Sequence, residues 1–305
     1  MYTHDEREVA DILAGIYSLP PEEIEISDIS VMKKGMTNRS YIYRYKDSRY
    51  ILRIPGEGTE KLIDREQEYN SYRAIERINI CDNPVYINPH TGYKITQYIE
   101  NARTCSPYDS GDIKRCMGVL RRLHNMKISV PHTFDIFGNI EFYEKLWGDN
   151  KSIYPDYGST KDNVYRLKMF IEANADEYVF THIDAVPDNF LIYTGEDGNE
   201  HIQLTDWEYA GMQDPYVDIA MFCLYSDYDK EQIDNIIDIY FEGRCSDNIR
   251  ARIYCYISAG GLLWSDWCEY KRHCGVGFGE YARQQYRYAK EYYRYAESLI
   301  KTLKD

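Results

Sequence analysis

The stretch that most constrains this chain is Thr181-His182-Ile183-Asp184-Ala185-Val186-Pro187-Asp188-Asn189-Phe190-Leu191-Ile192. Its polar skeleton is His182-x-Asp184, four intervening residues, then Asn189. Two short apolar runs flank it, Tyr178-Val179-Phe180 and Phe190-Leu191-Ile192-Tyr193. A third run, Ile202-Gln203-Leu204, leads into Asp206, seventeen residues beyond Asn189. Short apolar runs bounded by turn formers read as strands, and Gly195-Glu196-Asp197-Gly198-Asn199 reads as the hairpin between the last two. Such a segment presents a carboxylate and an amide from one loop and a second carboxylate from a strand end. Asp184, Asn189 and Asp206 could then serve one site together. The competing reading has the Asp and Asn merely capping turns. The strand–loop–strand–turn–strand order around them favours a shared chemical task.

This spacing resembles the kinase catalytic loop, in which an Asp takes the proton of the attacking hydroxyl while an Asn and a later Asp hold magnesium. With Asp206-Trp207-Glu208-Tyr209-Ala210-Gly211 and Asp214-Pro215-Tyr216-Val217-Asp218-Ile219-Ala220, the chain resembles the choline/ethanolamine kinase branch of the aminoglycoside phosphotransferase-like kinases, from about Lys33 to about Tyr288. The resemblance implies an α+β, protein-kinase-like fold of two lobes. A small N-terminal lobe with an antiparallel sheet, residues 1–98, would bind the nucleotide. A larger, mostly helical lobe, residues 99–305, would carry catalysis and the substrate. The implied cofactors are ATP and Mg2+, with Asp184, Asn189 and Asp206 catalytic and the last two on the metal. His182 would orient the loop, and Asp218 would brace it.

The charge balance fits a small-molecule enzyme. Against 50 acidic residues stand 36 basic ones, a net −14, which disfavours a nucleic-acid partner and favours a cationic ligand. No apolar run is long enough for a transmembrane span. The start, Met1-Tyr2-Thr3-His4-Asp5-Glu6, lacks the charged-then-apolar pattern of a signal peptide. Eight cysteines include no C-x2-C pair, so neither zinc nor a disulfide framework is indicated and a reducing cytoplasm is the expected home. Oligomeric state is left open.

In the first third, Thr3-x-x-Glu6 is a capping box, and Val9, Ile12, Leu13, Ile16 and Tyr17 follow at helical spacing. Strand-like stretches at 24–34 and 40–45 enclose Lys34-Gly35-Met36-Thr37-Asn38-Arg39, which lacks a full G-x-G-x-x-G. It resembles the short Gly-x-Thr/Ser-Asn turn of choline kinases, and this implies phosphate contacts from Gly35, Thr37 and Asn38. On the next strand, Tyr50 to Gly56, Arg53 stands where a kinase keeps a phosphate-gripping Lys; a guanidinium fork also suits phosphate oxygens. A charged helix over 62–78 supplies its acidic partner. Glu68 is the choice from the Arg65-x-x-Glu68 spacing, with Glu66 the alternative. A hairpin through Pro89-His90-Thr91-Gly92 leads to Thr96-Gln97-Tyr98-Ile99-Glu100-Asn101, by resemblance the hinge where Gln97 and Ile99 would meet adenine. A helix over 110–125 ends in Leu123-His124-Asn125, with His124 read as structural. Residues 130–160 read as irregular, a candidate substrate-side flap, and 161–175 as a helix.

The last third narrows the substrate. Trp264 and Trp267 lie three apart on one helical face, and Phe278 and Tyr281 follow a Gly275-Val276-Gly277 turn. A quaternary ammonium cannot donate hydrogen bonds and is held by aromatic faces, each worth about 0.5–2 kcal/mol. Choline kinases have a similar Trp-x-x-Trp and later Phe, so the resemblance implies choline held by Trp264, Trp267 and Phe278. Glu208 and Tyr209, beside Asp206, and Tyr225 are further substrate-side candidates. Tyr281, Tyr288, Tyr292 and Tyr295 recur at helical spacing and read as a packing stripe. The alternatives are an ethanolamine kinase, whose substrate needs acceptors such as Asp266, Glu269 or Glu280, an aminoglycoside kinase, and a non-catalytic choline or nucleotide sensor.

Overall fold

The amphipathic opening segment folds as helix α1 (His4–Tyr17). Its Val9, Ala10, Leu13 and Ala14 are buried against Tyr41, Tyr43, Leu52, Ile54 and Ile95. Those residues belong to a sheet of β1 (Ser27–Lys34), β2 (Asn38–Tyr45), β3 (Ser48–Pro55), β4 (Tyr86–Ile87) and β5 (Lys94–Gln97), in the order β1-β2-β3-β5-β4 with antiparallel neighbours. Side chains alternate along a strand, so if Leu52 and Ile54 face α1, Arg53 leaves from the opposite face. On that side lies α2 (Arg65–Ile75). It is shorter than the 62–78 expected, because the Asp64 side chain accepts from the backbone of Glu66 and Gln67 and caps it.

This computed structural model describes residues 4–20, 27–34, 38–56, 58–82, 84–148 and 150–304. Thr3 of the expected capping box and Gly35 and Thr37 of the expected phosphate turn lie outside the described residues.

Beyond β6 (Arg103–Thr104) the chain is mostly helical: α3 (Ser110–Asn125), α4 (Ile136–Leu146) and α5 (Tyr157–Asn174). Helix α4 corrects the irregular reading of 130–160. Ile136, Phe137, Ile140 and Tyr143 are buried along one face of it, a helical signal hidden by the Pro, Gly and Asp residues on either side. Strand β7 (Val179–Thr181) pairs antiparallel with β10 (Gly211–Gln213). Between them β8 (Phe190–Thr194) and β9 (Glu200–Leu204) form the expected hairpin, in a three-stranded sheet ordered β6-β8-β9. The chain continues as α6 (Tyr216–Tyr225), α7 (Lys230–Phe241), α8 (Asp247–His273) and α9 (Glu280–Thr302).

Helix α8 is buried at every residue from Ala251 to Lys271 and serves as the spine of its region. Its partner α9 packs Tyr288 and Tyr292 inward, while Tyr295 stays 37% exposed. Gly261 makes the α8–α9 approach possible: a Cβ there would lie 2.6 Å from the Gln285 carbonyl oxygen.

Two compact units emerge from the internal contacts. One is Met1–Arg103 with Leu191–Tyr209, and the other is Thr104–Phe190 with Ala210–Asp305. Among the described residues, no helix is long and apolar enough to cross a membrane.

Candidate active site

In the first unit the site is built around Arg53. Its guanidinium, 5% exposed, forms a two-pronged pair with the Glu68 carboxylate and donates to the Gly92 carbonyl at 3.0 Å. Burial opposes charge on Glu68, yet the adjoining Arg53 prevails and holds its carboxyl down at about 2. Glu66, the alternative partner, is exposed. The reason is helical phase: Glu68 lies on the buried face of α2 with Tyr72 and Ile75, and Glu66 does not.

Arg65 binds Glu68 at 2.8 Å and the Glu208 carboxylate at 3.1 Å. Asn38 donates to Glu208 at 2.9 Å and accepts from Arg65 at 3.2 Å. Glu208 was expected on the substrate side. It turns instead into this cation cluster, because two donors and the nearby Arg53, 3.7 Å away, compensate its burial there.

Asp206 follows β9 with a left-handed backbone, φ 67°. Its Oδ1 is buried without a hydrogen-bond partner among the described residues, although the side chain keeps 35% of its surface; Arg53 stands 3.8 Å away. Burial and the Glu208 charge push its carboxyl up to about 7, against the pull of Lys94 and Arg53. A carboxylate with a bare oxygen is suited to a cation. Among the described residues there is no cluster of three or more His, Cys, Asp and Glu side chains that could hold a metal.

The expected hinge is held by Arg49, which stacks over the Tyr98 ring at 4.2 Å and pairs with Glu100. Gln97 at the end of β5 is exposed and Ile99 half-buried.

In the second unit the 182–189 loop is clamped from below. The Asp218 carboxylate, fully buried on α6, accepts from the backbone N–H of His182 at 2.9 Å and of Ile183 at 2.7 Å. Ile183 is β-branched and sits at φ 69°, a conformation that costs on the order of 1–3 kcal/mol and persists only where its surroundings enforce it. His124 joins the clamp, Nε2 to Asp218 at 2.9 Å and Nδ1 to the Tyr240 hydroxyl at 2.8 Å. A carboxylate only accepts, so Nε2 carries a hydrogen and donates it to Asp218. His182 is itself fully buried.

At the loop's other end Pro187–Asn189 forms one 3-10 turn. The Asn189 amide donates to the Asp184 carbonyl at 2.8 Å and its carboxylate at 3.1 Å. The amide NH2 thus steers the Asp184 carboxylate, and the amide oxygen is the end suited to a metal.

The aromatic residues divide. Trp267 and Phe278 meet at 4.9 Å between ring centroids, and the Lys271 ammonium already rests 5.8 Å over the Trp267 ring. Trp264 donates its indole N–H to the Met221 sulfur at 3.1 Å. Tyr225 donates to Asp188 at 2.5 Å and packs edge-on to Tyr281. Burial raises the Tyr281 hydroxyl well above the ordinary tyrosine range, with the Asp184 carboxylate adding to the effect. The half-buried Tyr209 belongs to the first unit.

Comparison with known proteins addresses the family and the fold. The choline/ethanolamine kinase family model matches residues 29–243. Protein LicA of Haemophilus influenzae is 28% identical over 264 residues, spanning 81% of this chain and 75% of that protein. The crystal structure of choline kinase LicA from Streptococcus pneumoniae is similar with a TM-score of 0.81 at 25% identity, over 96% of this chain and 99% of the other. A structure of LicA in complex with AMP gives 0.79 at 27% identity, over 97% and 100%. The mixed fold of N-terminal antiparallel sheet and helical C-terminal region is thus that of the protein-kinase-like enzymes, and the activity is that of a kinase for small-molecule alcohols. With a family match over more than half its length, the chain belongs to the choline/ethanolamine kinase family.

Proposed function

We propose that the protein transfers the γ-phosphoryl group of ATP to the hydroxyl of choline, giving phosphocholine. Asp184 orients that hydroxyl and accepts its proton as the new O–P bond forms. Asn189 secures the Asp184 carboxylate by its amide N–H. The amide oxygen of Asn189 and the bare oxygen of Asp206 are the groups that would hold Mg2+. Bound there, the ion supplies charge neutralisation on the ATP phosphates. Arg53, its fork held by Glu68, offers its remaining N–H groups to phosphate oxygens, and Gly35, Thr37 and Asn38 are assigned to the same substrate. Gln97 and Ile99 take the adenine. Trp264, Trp267, Phe278, Tyr209 and Tyr225 are assigned to the alcohol.

Choline is favoured over ethanolamine by one observation: of the carboxylates a primary ammonium would need, Glu269 and Glu280 are engaged elsewhere, and burial disfavours the charged form of Asp266, whose Oδ1 has no partner among the described residues. Asp266 accepts from Tyr157 at 2.9 Å and burial raises its pKa well above the usual carboxylate range. Glu269 is filled by Ser152, the Ile153 N–H and Arg272. Glu280 pairs with Arg283 on the surface. Aromatic faces suit a trimethylammonium that donates nothing.

The test is magnesium-dependent ATP turnover with choline, ethanolamine and an aminoglycoside, for the wild type and Trp267→Ala. The expected result is a choline preference, with kcat/KM for choline falling by about tenfold or more in the variant, as loss of ~1.4–2 kcal/mol of cation–π binding requires. Equal use of ethanolamine, untouched by the substitution, would discard the choline reading. No turnover with any acceptor would bring the sensor reading forward.

A further inference from the structure

Arg53 has a second cation directly beside it. Lys94 pairs with Arg53 across β3 and β5, so both side chains leave the same face of the sheet. Like charges placed opposite each other destabilise a sheet unless each is compensated. Arg53 takes Glu68. Lys94, 6% exposed, donates to Asp82 Oδ2 at 3.1 Å and to the Tyr72 hydroxyl, its ammonium 4.6 Å from the centre of that ring. The Tyr72 hydroxyl passes its own hydrogen to Asp82 Oδ1 at 3.0 Å. Glu68 and Tyr72 are four residues apart on α2, so the two strand cations meet adjacent turns of one helical face.

Asp82 is itself fixed. Cys81 bridges Leu204, whose N–H donates to the Ile80 carbonyl at 2.8 Å, and Leu204 ends the strand that delivers Asp206. The Lys94 charge also reaches Glu68. A lysine has a flexible stem and three donors. Released from Asp82, it would compete with Arg53 for Glu68.

We propose that Asp82 and Tyr72 are positioning residues, which hold the Lys94 ammonium away from Glu68 and so leave that carboxylate to Arg53. The proposal rests on the phosphate-gripping role assigned to Arg53. A merely structural role for Asp82 predicts that losing Lys94 as well makes matters worse. The positioning role predicts the reverse, because the double variant removes the competitor.

The experiment compares Asp82→Asn, Lys94→Met, their combination and Tyr72→Phe. KM for ATP, KM for choline, kcat and ATP affinity by calorimetry are measured. Asp82→Asn should raise KM for ATP by about tenfold, the effect of ~1.4 kcal/mol, with KM for choline unchanged. The double variant should return to within about threefold of the wild type. Tyr72→Phe keeps the ring and should raise KM for ATP by about threefold. A double variant as weak as Asp82→Asn, or equal rises in both KM values, would overturn the proposal. Should Asp82→Asn fail to fold, an unchanged KM for ATP in Tyr72→Phe overturns it alone. Failure of the kinase reading is distinguishable, since it abolishes wild-type turnover and ATP binding. Amide exchange in α2 then still reads the latch: faster in Asp82→Asn and restored in the double variant is the result that sustains it, and no restoration sinks it.

Discussion

Replacing Asp218 by Asn should disable the catalytic loop while leaving the fold standing. The carboxylate serves three donors: Oδ1 takes the Ile183 N–H, and Oδ2 takes the His182 N–H and His124 Nε2–H. An asparagine offers one oxygen. Its less costly rotamer keeps that oxygen on the two Oδ2 donors and turns its NH2 against the Ile183 N–H, which is left unsatisfied at about 1–3 kcal/mol. The two remaining bonds lose their charge assistance, roughly half their strength, for about another 1–2 kcal/mol. The expected destabilisation is therefore on the order of 2–5 kcal/mol, read from urea midpoints. The same loss falls on Ile183, whose left-handed backbone the clamp enforces next to Asp184. If ~3 kcal/mol of that support is lost, the productive loop geometry becomes rare and kcat falls about a hundredfold, at 1.36 kcal/mol per decade. The KM values for ATP and choline should stay within about threefold, since the clamp touches neither substrate. A variant with kcat within about twofold of wild type would refute the claim that the clamp sets the loop.

Two further outcomes are expected. The Glu68 carboxyl, held at about 2 against an ordinary 4.5, stabilises the fold above about pH 4.5 and loses that contribution as pH falls toward 2. The shift corresponds to roughly 3 kcal/mol, so the wild type should lose about that much more stability than Glu68→Gln between pH 6 and pH 2 in urea titrations. Parallel curves would show that the pair contributes nothing through its charge. Gly261→Ala would drive a methyl into the Gln285 carbonyl, 2.6 Å away, and the Ala289 nitrogen, 2.8 Å away. Both contacts are backbone, so α8 and α9 must separate, at about 1–3 kcal/mol, and KM for choline should rise with the displacement of Trp267; unchanged stability would show that the helices part freely.

Much of the site was legible because its signals are local. Strand, loop and hairpin between Val179 and Asp206 are set by short apolar runs and turn formers a few residues apart. Arg53 on its strand and Glu68 on its helix follow from two periodicities. What escaped was of another kind. Helix α4 was obscured by the breakers around it. Glu208 was read from its neighbour Asp206, whereas its direction is decided by Asn38 and Arg65, more than a hundred residues earlier in the chain. Lys94 and Asp82 carry no motif at all, and their meaning comes from the β3–β5 register.

The sequence by itself determined the inventory and order of the chemical groups: two carboxylates and an amide around one loop and a strand end, a strand cation with a helical acid, and aromatic residues near the end. Each rests on spacing within one element, where covalent geometry leaves few choices. Only the tertiary structure decided which partner each group takes. Glu68 rather than Glu66 meets Arg53, Trp264 bonds to Met221 while Trp267 meets Phe278, and Asp218 braces the loop from thirty-five residues away. Such pairings depend on long-range packing and on the cost of burying a charge alone, and neither leaves a period in the sequence.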